Sequence, residues 1–420
     1  MQIAKITKEV DGGFITIPPS KSVAHRAIIC ASLSQGASTI YNIDNSDDIK
    51  ATLNFVTALG RNFTYENKTL TITDYTPKKN ETIDCFESGS TLRFIVPIMS
   101  ALGINAEFIG KGRLPERPIG IYKDLLNGVS FSSSHLPFSI SGKLKSGVFH
   151  LPGNISSQFI TGLLFALPLL DGDSEIILTS PLQSKSYVDI TVDVMKDFGV
   201  LVEETVNAYS IKGNQQYKAK NYTVEGDWSQ AGFFLSLGAI SKNKIILKGL
   251  NKNSKQGDKI CFDIFNKMNI NCSFIENDLH IEKSNNITAI TVDVSDCPDI
   301  VPTLACTMSL ANGISRITNA GRLRIKESDR LSAIANAINI LGGKVSELED
   351  ELIITGPCNF VGTQVNSCKD HRILMAVSTL KAMTKGDIFL TDAHCINKSY
   401  PNYYKDYMSI GGKIDVIDMG

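Results

Sequence analysis

The chain has 420 residues, 43% hydrophobic and 20% charged, with 42 basic against 43 acidic side chains and a formal net charge of −1. This length predicts two domains rather than one core, and the charge balance excludes a global attraction to nucleic acid or anionic membranes. A bound anion would have to meet a local concentration of positive charge. The opening MQIAKITKEV has no apolar segment typical of a signal peptide. The longest apolar run, residues 159–170, is shorter than the roughly 20 residues that span a bilayer.

Cysteine usage favours a reducing compartment. The nine cysteines form no C-x-x-C pair, so neither a zinc site nor a disulfide framework is predicted. The sequence also has no G-x-x-x-x-G-K-[ST] phosphate loop and no H-E-x-x-H zinc motif. We therefore expect a cytoplasmic protein without a metal or nucleotide cofactor, without a nucleic-acid partner and without membrane attachment.

One unit recurs six times along the chain. Each copy opens with a small polar or acidic residue and continues as a helix rich in Ala, Leu and Ile, as in SKSVAHRAIICASL and DHRILMAVSTLKAM. The opening residues, 68 to 72 positions apart, are Ser20, Ser88, Ser156, Asp227, Asp299 and Asp370. Helix-turn-strand units resemble one another by chance in many α/β proteins, but this regular spacing favours a true internal repeat.

Within each copy the pattern reads β-α-β-α-β-β. The first helix precedes a β-rich stretch such as SEIILT, a second amphipathic helix such as VDVMKDFG, and alternating strands such as KVSELEDELIITG. The sequence therefore predicts an α/β fold of two domains with three units each. Residues 21–226 form one predicted domain. Residues 1–20 with 227–420 form the other, in which the opening strands complete the last unit.

The starts of the first helices are candidate anion sites. A helix start offers free N–H groups and the positive end of the helix dipole, and its Ser or Asp suits an N-cap. Cations stand at these starts or on connecting segments, at Lys21, Arg26, Arg93, Arg113, Arg117, Lys185, Arg372 and Lys398. Each alone is typical of solvated surface, but their shared placement favours a strongly anionic ligand.

Polar neutral residues predict a ligand with hydroxyl groups. They gather in NISSQF and SPLQSKSY, at Ser156, Ser157, Gln158, Ser184 and Tyr187. Hydroxyl and amide side chains complete the hydrogen-bond shell of a phosphate and orient sugar-like hydroxyls. Ser156 taken alone is equally well explained as a helix cap.

Two acids are candidates for proton transfer. Asp299 opens the fifth unit, and Glu327 stands between Lys326 and Arg330 in RLRIKESDRL, residues 322–331. Neighbouring cations lower the pKa of a carboxyl group and suit a base, whereas burial raises it and suits an acid. The residues alone leave both roles open. They also leave open an N-cap role for Asp299 and a solvated helix face for residues 322–331.

Nine motifs in register carry a family resemblance. PPSKSVAHRA, SGSTLRF, ERPIG, SSQF, SKSYVDIT, PDIVPTLA, KESDR, DHR and NKSYP occur in this order over nearly the whole chain. Together they resemble the 5-enolpyruvylshikimate-3-phosphate (EPSP) synthases. The family fold agrees with the repeat pattern: an inside-out α/β barrel of two domains, each of three β-α-β-α-β-β units, with the active site in the cleft between them.

The resemblance implies a reaction and its binding residues. The enolpyruvyl group of phosphoenolpyruvate is transferred to the 5-hydroxyl of shikimate 3-phosphate, with release of phosphate, in the shikimate pathway to chorismate and aromatic amino acids. The implied shikimate 3-phosphate ligands are Lys21, Ser22, Arg26, Ser156, Ser157, Gln158, Ser184, Tyr187, Asp299 and Lys326. The implied phosphoenolpyruvate ligands are Lys21, Gly89, Arg117, Gln158, Arg330, Arg372 and Lys398. Guanidinium groups suit both substrates because each binds two phosphate or carboxylate oxygens at once.

By the same resemblance, the mechanism is addition followed by elimination through a tetrahedral ketal phosphate. Asp299 is expected to take the proton of the attacking 5-hydroxyl. Glu327, with Lys21 as partner, is expected to protonate the methylene carbon and later to remove a proton from it. The surrounding cations stabilise the developing charge. The family default is a monomer that needs no cofactor.

Two positions depart from the common family pattern. The second motif is often Asn-Ala-Gly-Thr, whereas here it is Glu87-Ser88-Gly89-Ser90, which keeps the glycine. The residue four before Lys326 is often an Asn that contacts shikimate 3-phosphate, whereas here it is Arg322, whose role stays open.

Two alternative functions compete with this interpretation. One is the related transferase that acts on UDP-N-acetylglucosamine, which usually has Lys-Asn in the first motif and a cysteine on the loop before its Arg-Pro. This chain has Lys21-Ser22 and no cysteine in GKGRLPERP, which disfavours that substrate. The other is a non-catalytic repeat scaffold whose helix starts bind anions.

Overall fold

The computed structural model of the chain describes residues 2–76, 78–117 and 119–418. The chain forms two compact units. Unit 1 contains the residues up to Pro18 and those from Gly226 onward, and unit 2 is Pro19–Glu225. Within the described residues, no helix has the length and apolar character needed to cross a bilayer.

Twelve α-helices lie in the described ranges. They are α1 Lys21–Leu33, α2 Asp47–Ala58, α3 Gly89–Leu102, α4 Gly120–Leu125, α5 Ser157–Ala166, α6 Lys185–Asp197, α7 Trp228–Ile240, α8 Cys261–Lys267, α9 Val301–Met308, α10 Arg330–Ile340, α11 His371–Ser378 and α12 Tyr403–Ser409.

The strands of unit 2 are β3 Ser38–Tyr41, β4 Arg61–Glu66, β5 Thr69–Tyr75, β6 Asn80–Asp84, β7 Asn105–Ile109, β8 Val129–Phe131, β9 Phe138–Gly142, β10 Val148–Leu151, β11 Ser174–Leu178, β12 Glu203–Glu204, β13 Ala208–Ile211 and β14 Asn221–Thr223. Those of unit 1 are β1 Gln2–Lys8, β2 Gly13–Thr16, β15 Ile245–Lys248, β16 Cys272–Ile275, β17 Asp278–Ile281, β18 Thr291–Asp293, β19 Gly313–Thr318, β20 Val345–Glu347, β21 Leu352–Gly356, β22 Phe360–Val361, β23 Gln364–Val365, β24 Thr384–Lys385, β25 Ile388–Thr391 and β26 Lys413–Asp418.

Each unit contains three four-stranded sheets. In unit 2 the strand orders are β14-β3-β5-β4, β6-β7-β9-β8 and β10-β11-β13-β12. In unit 1 they are β16-β17-β15-β2, β18-β19-β21-β20 and β23-β25-β1-β26, beside a two-stranded β22-β24 sheet. The β6-β7 pair is parallel and its crossover is α3, whereas β7-β9 and β8-β9 are antiparallel. This pattern is the predicted β-α-β-α-β-β unit, since parallel neighbours need a crossover connection.

Two strands leave their neighbours in sequence and complete a distant sheet. β2 precedes α1 but pairs in parallel with β15 of unit 1, and β14 precedes α7 but pairs in parallel with β3 of unit 2. β1 lies between β25 and β26. The prediction that the opening strands complete the last unit is therefore correct for β1 and wrong for β2, which completes the fourth.

The turn between β1 and β2 explains this difference. Gly12 and Gly13 both have positive φ, at 122° and 143°, values that residues with a side chain rarely adopt. A Cβ atom at Gly12 would lie 2.6 Å from the carbonyl oxygen of Asn243. The glycine pair therefore redirects the chain from the sheet of β26 to the sheet of β15.

The first helix of each repeat is buried on all sides. Every residue from Trp228 to Ala239 of α7 is buried, as are all those from Leu92 to Ala101 of α3. A helix that is apolar all round belongs in a core. The second helices, such as α6, instead expose one polar face and cover the sheets.

Helix caps hold the starts of five first helices. The side chains of Ser20, Ser88, Ser156, Asp227 and Asp370 each accept a hydrogen bond from a backbone N–H in the first turn. Asp299 differs, because Pro298–Ile300 forms a 3-10 turn ahead of α9 and Cys297 stands at its cap position. The alternative of Asp299 as a plain N-cap is therefore wrong.

Close packing of α5 gives the first testable prediction. A Cβ atom at Gly162 would collide with the carbonyl oxygen of Arg93 and the hydroxyl of Tyr122, whereas one at Gly232 of α7 would lie 3.9 Å from Thr303 Cγ2. We expect Gly162→Ala to lower the free energy of unfolding by about 2 kcal/mol through overpacking. The matched Gly232→Ala should raise it by up to about 1 kcal/mol through helix propensity. Urea unfolding measures both, and equal effects would contradict the packing described.

Candidate active site

In unit 2, buried hydrogen bonds join the starts of the first helices. His25 Nδ1 of α1 lies 2.6 Å from Thr52 Oγ1 of α2, which lies 2.9 Å from Thr91 Oγ1 of α3. Thr91 donates in turn to the Ser88 hydroxyl at 2.8 Å. His25 is thus a packed residue near the start of α1.

Gln158 joins the starts of α3 and α5. Its Oε1 accepts a hydrogen bond from Arg93 Nη1 at 2.8 Å, and its Nε2 donates to Ser90 Oγ at 2.9 Å. The Arg93 guanidinium also lies 5.1 Å from the ring centroid of Phe159, and its carbonyl accepts from the Tyr122 hydroxyl at 2.7 Å. Gln158 is therefore held rigidly beside two helix starts, which suits a binding residue.

The Arg117 guanidinium lies against the backbone of Gly89. A Cβ atom at Gly89 would stand 2.6 Å from Arg117 Nη1 and 2.8 Å from its Cζ. Within the described ranges, the buried Nε of Arg117 has no hydrogen-bond partner. A buried donor without a partner is costly, so this cation is suited to receive an anion at the start of α3.

Lys21 has a partner that sequence reasoning missed. Its Nζ lies 2.6 Å from Oδ2 of Asp48, and the two side chains are 18% and 7% exposed. A lysine in the first turn of a helix is repelled by the helix dipole, so the carboxylate offsets that cost. Residues 46–48, with the sequence SDD, are typical of an ordinary helix start. Only the packing of α1 against α2 identifies Asp48 as the partner of Lys21.

Arg26 is more deeply engaged than its predicted role requires. It is 2% exposed, and it donates to Thr191 Oγ1 at 2.8 Å, to the Ser22 carbonyl at 2.6 Å and to the Tyr187 carbonyl at 2.8 Å. Burial lowers the pKa of Arg26 to about 10, so it remains charged at neutral pH. Arg26 thus fixes Ser22 and Tyr187, two other predicted ligands.

The remaining predicted residues of unit 2 stand at helix starts. Ser156 caps α5 and Ser157 is its buried first residue, while Ser184, at φ 54°, precedes α6. Lys185 lies on the surface, where its Nζ contacts Asp189 at 2.5 Å and Glu204 at 2.9 Å. Its solvated ion pairs favour the surface interpretation of this lysine.

In unit 1, one buried guanidinium contacts three carboxylates. Arg330, 1% exposed, lies 2.7 Å from Glu327 Oε2, 3.1 Å from Asp299 Oδ1 and 2.9 Å from Asp370 Oδ2. These acids come from the turn before α10, the turn before α9 and the cap of α11. We call Asp299, Lys326, Glu327, Arg330, Asp370 and Arg372 the carboxylate–arginine cluster.

Asp299 is surrounded by cations within this cluster. Lys326 Nζ lies 3.6 Å from Oδ1, Arg372 Nη2 lies 3.1 Å from Oδ2, and Arg372 Nη1 donates to the Asp299 carbonyl at 3.1 Å. Burial opposes ionisation, but Arg372, Lys326 and Arg330 outweigh it and hold the pKa of Asp299 well below its usual range. Asp299 is therefore an anion at neutral pH. Burial lowers the pKa of Lys326.

Other residues of RLRIKESDRL support the cluster from outside. Arg324 binds Glu347 at 2.6 Å and Asp329 at 3.0 Å, and Asp329 caps α10. Arg322 donates to the Ser295 carbonyl at 2.7 Å. The segment is thus divided, because Lys326, Glu327 and Arg330 belong to the carboxylate–arginine cluster whereas Arg324 pairs with acids outside it.

Asp370, the cap of α11, has a second role that sequence reasoning missed. It is fully buried, and it binds Arg330 through Nε while its Oδ1 accepts from the Arg372 backbone N–H at 2.9 Å. One carboxylate therefore orients both arginines. Its place before HR in the DHR motif was the available signal.

Lys398 lies on a different turn from the residues of the carboxylate–arginine cluster. It ends the 3-10 turn Ala393–Lys398 and is buried. The next residue, Ser399, accepts a hydrogen bond from Gln230 Nε2 of α7 at 3.3 Å. This contact ties the turn to the start of α7.

Among the described residues, no group of three His, Cys, Asp or Glu side chains is placed to hold a metal ion.

Comparison with known proteins decides the family. The EPSP synthase (3-phosphoshikimate 1-carboxyvinyltransferase) family pattern matches residues 5–407. The 3-phosphoshikimate 1-carboxyvinyltransferase of Clostridium kluyveri is 46% identical over 97% of each chain, and that of Clostridium novyi is 43% identical over the full length of both. The chain belongs to the EPSP synthase family.

Solved structures agree with this assignment. EPSP synthase from Acinetobacter baumannii covers the whole of both chains with a TM-score of 0.84 at 25% identity. The enolpyruvyl transferase NikO from Streptomyces tendae shares the fold, with a TM-score of 0.81 at 14% identity over 99% of each chain. The predicted fold and the predicted function as a 3-phosphoshikimate 1-carboxyvinyltransferase are confirmed, and the UDP-sugar alternative is not favoured.

Asp370, the fully buried acid of the carboxylate–arginine cluster, gives the second prediction. Asp370→Asn should lower the free energy of unfolding by about 3 kcal/mol, because it leaves part of the Arg330 charge unpaired. As the control, Asp387→Asn removes the partner of Lys5, where both side chains are about one-third exposed. That change should cost less than about 1 kcal/mol. Urea unfolding near neutral pH separates the two, and similar losses would contradict a buried ion-pair role.

The effect of Asp370 should also depend on pH. Burial opposes its ionisation, but Arg330 outweighs burial and lowers the pKa of Asp370 below the usual 3.8. A carboxyl group with a depressed pKa stabilises the fold above its unfolded-state pKa, and this stabilisation is lost as the pH falls through the folded-state value. The stability difference between wild type and Asp370→Asn should therefore shrink below about pH 4.

Proposed function

We propose that the chain carries out its family reaction with acid–base groups supplied by the carboxylate–arginine cluster of unit 1. The reaction transfers the enolpyruvyl group of phosphoenolpyruvate to the 5-hydroxyl of shikimate 3-phosphate and releases phosphate. One observation carries the proposal: both candidate proton-transfer groups, Asp299 and Glu327, are held by the same buried guanidinium of Arg330.

The binding residues of both units follow from this reaction. We assign shikimate 3-phosphate to Lys21, Ser22, Arg26, Ser156, Ser157, Gln158, Ser184, Tyr187, Asp299 and Lys326. We assign phosphoenolpyruvate to Lys21, Gly89, Arg117, Gln158, Arg330, Arg372 and Lys398. The open Nε of Arg117 and the rigid hold on Gln158 support these roles, since preorganised donors bind phosphate without reordering.

Asp299 is suited to act as the base. Because Arg372, Lys326 and Arg330 keep it ionised, it can accept the proton of the 5-hydroxyl as that oxygen attacks C2 of phosphoenolpyruvate. A low pKa alone makes a weak base. Anionic substrates that bind Arg330 and Arg372 would draw these cations away from Asp299 and raise its pKa toward its usual value. Substrate binding thus activates the base.

Glu327 is suited to proton transfer at carbon. Its carboxyl group binds Arg330 Nη2 at 2.7 Å, and we propose that it protonates the methylene carbon as the C–O bond forms, with Lys21 as partner. The addition gives a tetrahedral ketal phosphate. Elimination then breaks the C–O bond to phosphate while the same methyl carbon loses a proton. The carbon returns its proton to Glu327, and the departing phosphate takes the proton that Asp299 received from the 5-hydroxyl, so both acids regain their starting protonation states.

We also propose a cytoplasmic monomer. The described chain has nine free cysteines, eight of them buried, and burial raises the pKa of several of their thiols, among them Cys85 and Cys306. Free thiols persist in a reducing compartment. Size-exclusion chromatography with light scattering measures the oligomeric state.

Substrate choice is tested by phosphate release. Purified protein is mixed with phosphoenolpyruvate and either shikimate 3-phosphate or UDP-N-acetylglucosamine. We expect release only with shikimate 3-phosphate, because this chain belongs to the EPSP synthase family. Release with the UDP-sugar alone, or with neither acceptor, would overturn the proposal.

The third prediction concerns the two acids. Asp299→Asn and Glu327→Gln should each lower kcat by about 10² to 10⁴, the usual contribution of general acid–base catalysis. The control is Glu349→Gln, because Glu349 lies exposed on the loop beyond the cluster and should leave kcat unchanged. Retention of wild-type kcat by Asp299→Asn would contradict the role assigned to Asp299.

The fourth prediction concerns Gly89. Gly89→Ala should raise the KM for phosphoenolpyruvate by about tenfold with a smaller change in the KM for shikimate 3-phosphate. The reason is that a Cβ atom would stand 2.6 Å from Arg117 Nη1 and displace the guanidinium by a distance that costs binding. Gly120→Ala, where a Cβ atom would lie 3.9 Å from Ser134, is the control. Steady-state kinetics with each substrate varied in turn measures both constants.

A further inference from the structure

Asp258 is a buried acid that the proposed mechanism does not use. It lies in the 3-10 turn Gly257–Ile260 of unit 1 and is 4% exposed. Its Oδ2 accepts a short hydrogen bond from the Ser229 hydroxyl in the first turn of α7. A buried carboxyl group lowers the free energy of unfolding unless it is neutral or paired. We therefore expect Asp258 to have a role.

The segment around Asp258 clamps the start of α7. Gln256 Oε1 accepts from the Trp228 backbone N–H at 3.1 Å, and Gln256 Nε2 donates to the Gly226 carbonyl at 2.8 Å. With the Ser229 contact, these bonds fix the turn that carries Asp258 to one helix start. The acid is thus held rigidly in place.

Asp258 also lies close to the carboxylate–arginine cluster. Its 3-10 turn contacts the turn Pro298–Ile300, which carries Asp299. Several charged or titratable groups interact electrostatically with Asp258, among them Asp227, Asp299, Arg372, Cys261 and Cys297. Two of these, Asp299 and Arg372, belong to the cluster.

We propose that Asp258 is a positioning residue for the transfer reaction, which acts on Asp299 and Arg372 through its negative charge, present when Asp258 is ionised and absent when it is protonated. The inference rests on the proposed function of these two residues. Arg372 can give its full charge to phosphoenolpyruvate only while Asp258 is neutral. Ionised Asp258 competes with the substrate for that charge and also makes Asp299 more basic.

We expect the charge state of Asp258 to change near neutral pH. Burial, reinforced by the charge of Asp299 and opposed by Arg372, raises the pKa of Asp258 to about 7. Below that pH the neutral acid can keep its hydrogen bond with Ser229 without attracting Arg372. Above that pH the carboxylate attracts Arg372. The affinity for phosphoenolpyruvate should therefore fall as the pH rises through neutrality.

The fifth prediction compares Asp258→Asn with wild type between about pH 6 and pH 8. The wild-type KM for phosphoenolpyruvate should rise by about tenfold more than that of the variant, the size expected for one added charge near a binding cation. The substrate's own titration is common to both proteins and cancels in the ratio of their KM values. Asp263→Asn, an exposed acid of α8, is the matched control and should follow wild type. Identical pH profiles for Asp258→Asn and wild type would overturn the proposal.

A second readout needs no turnover. Trp228, the single tryptophan of the chain, precedes Ser229 and is fully buried. Its fluorescence should titrate near neutral pH in wild type and lose this step in Asp258→Asn. If wild type shows the step but does not convert the two substrates, the proposed function fails while the ionisation of Asp258 stands. If the step persists unchanged in Asp258→Asn, the proposed ionisation is wrong.

Ser229→Ala covers the case in which Asp258→Asn does not fold. The Ser229 hydroxyl stabilises the ionised form of Asp258, so its loss should move both the fluorescence step and the rise in KM to higher pH. An unchanged midpoint in Ser229→Ala would contradict the proposal. Circular dichroism and thermal unfolding confirm that each variant is folded before it is assayed.

Discussion

The Arg330 guanidinium is the contact on which the candidate site of unit 1 depends. It is almost fully buried and binds carboxylates from three separate segments, Asp299, Glu327 and Asp370. Removal of one partner from a buried ion pair typically costs about 3–5 kcal/mol. The same contact that fixes the three segments therefore also places both proposed acid–base groups. Because one interaction serves both stability and the proposed chemistry, a substitution of Asp299 or Glu327 should alter both the free energy of unfolding and kcat.

Charge balance explains how this cluster can remain buried without substrates. Three cations, Lys326, Arg330 and Arg372, face three acids, and Asp299 contacts all three cations. In the proposed mechanism, an arriving phosphate or carboxylate competes with Asp299 for the same guanidinium groups. Substrate binding and activation of the proposed base would then be coupled by this exchange of partners. Asp258 adds a further acid to this competition for Arg372.

The candidate anion site of unit 2 is built differently. Its first-helix starts are joined through neutral hydroxyl and amide groups, such as the bond between Gln158 and Ser90, and cations contact them from the side. Arg117 lies over Gly89 with its buried Nε open, whereas Lys21 is held by Asp48. Preorganised donors of this kind need little rearrangement to bind phosphate.

The sequence by itself determined the repeat and the capped starts of five first helices, because periodicity and N-caps are local properties of the chain. It could not place β2 with β15, because the two strands lie far apart in the chain and their pairing leaves no local pattern in the sequence. It could not orient Asp299, because its place at the start of the fifth unit gave no sign that Arg330 and Arg372 would bind its carboxylate. Nor could it identify Asp48, Asp258 or Asp370 as partners. Ion pairs between residues tens of positions apart exist only once the helices have packed, so the tertiary structure alone decided which charges meet.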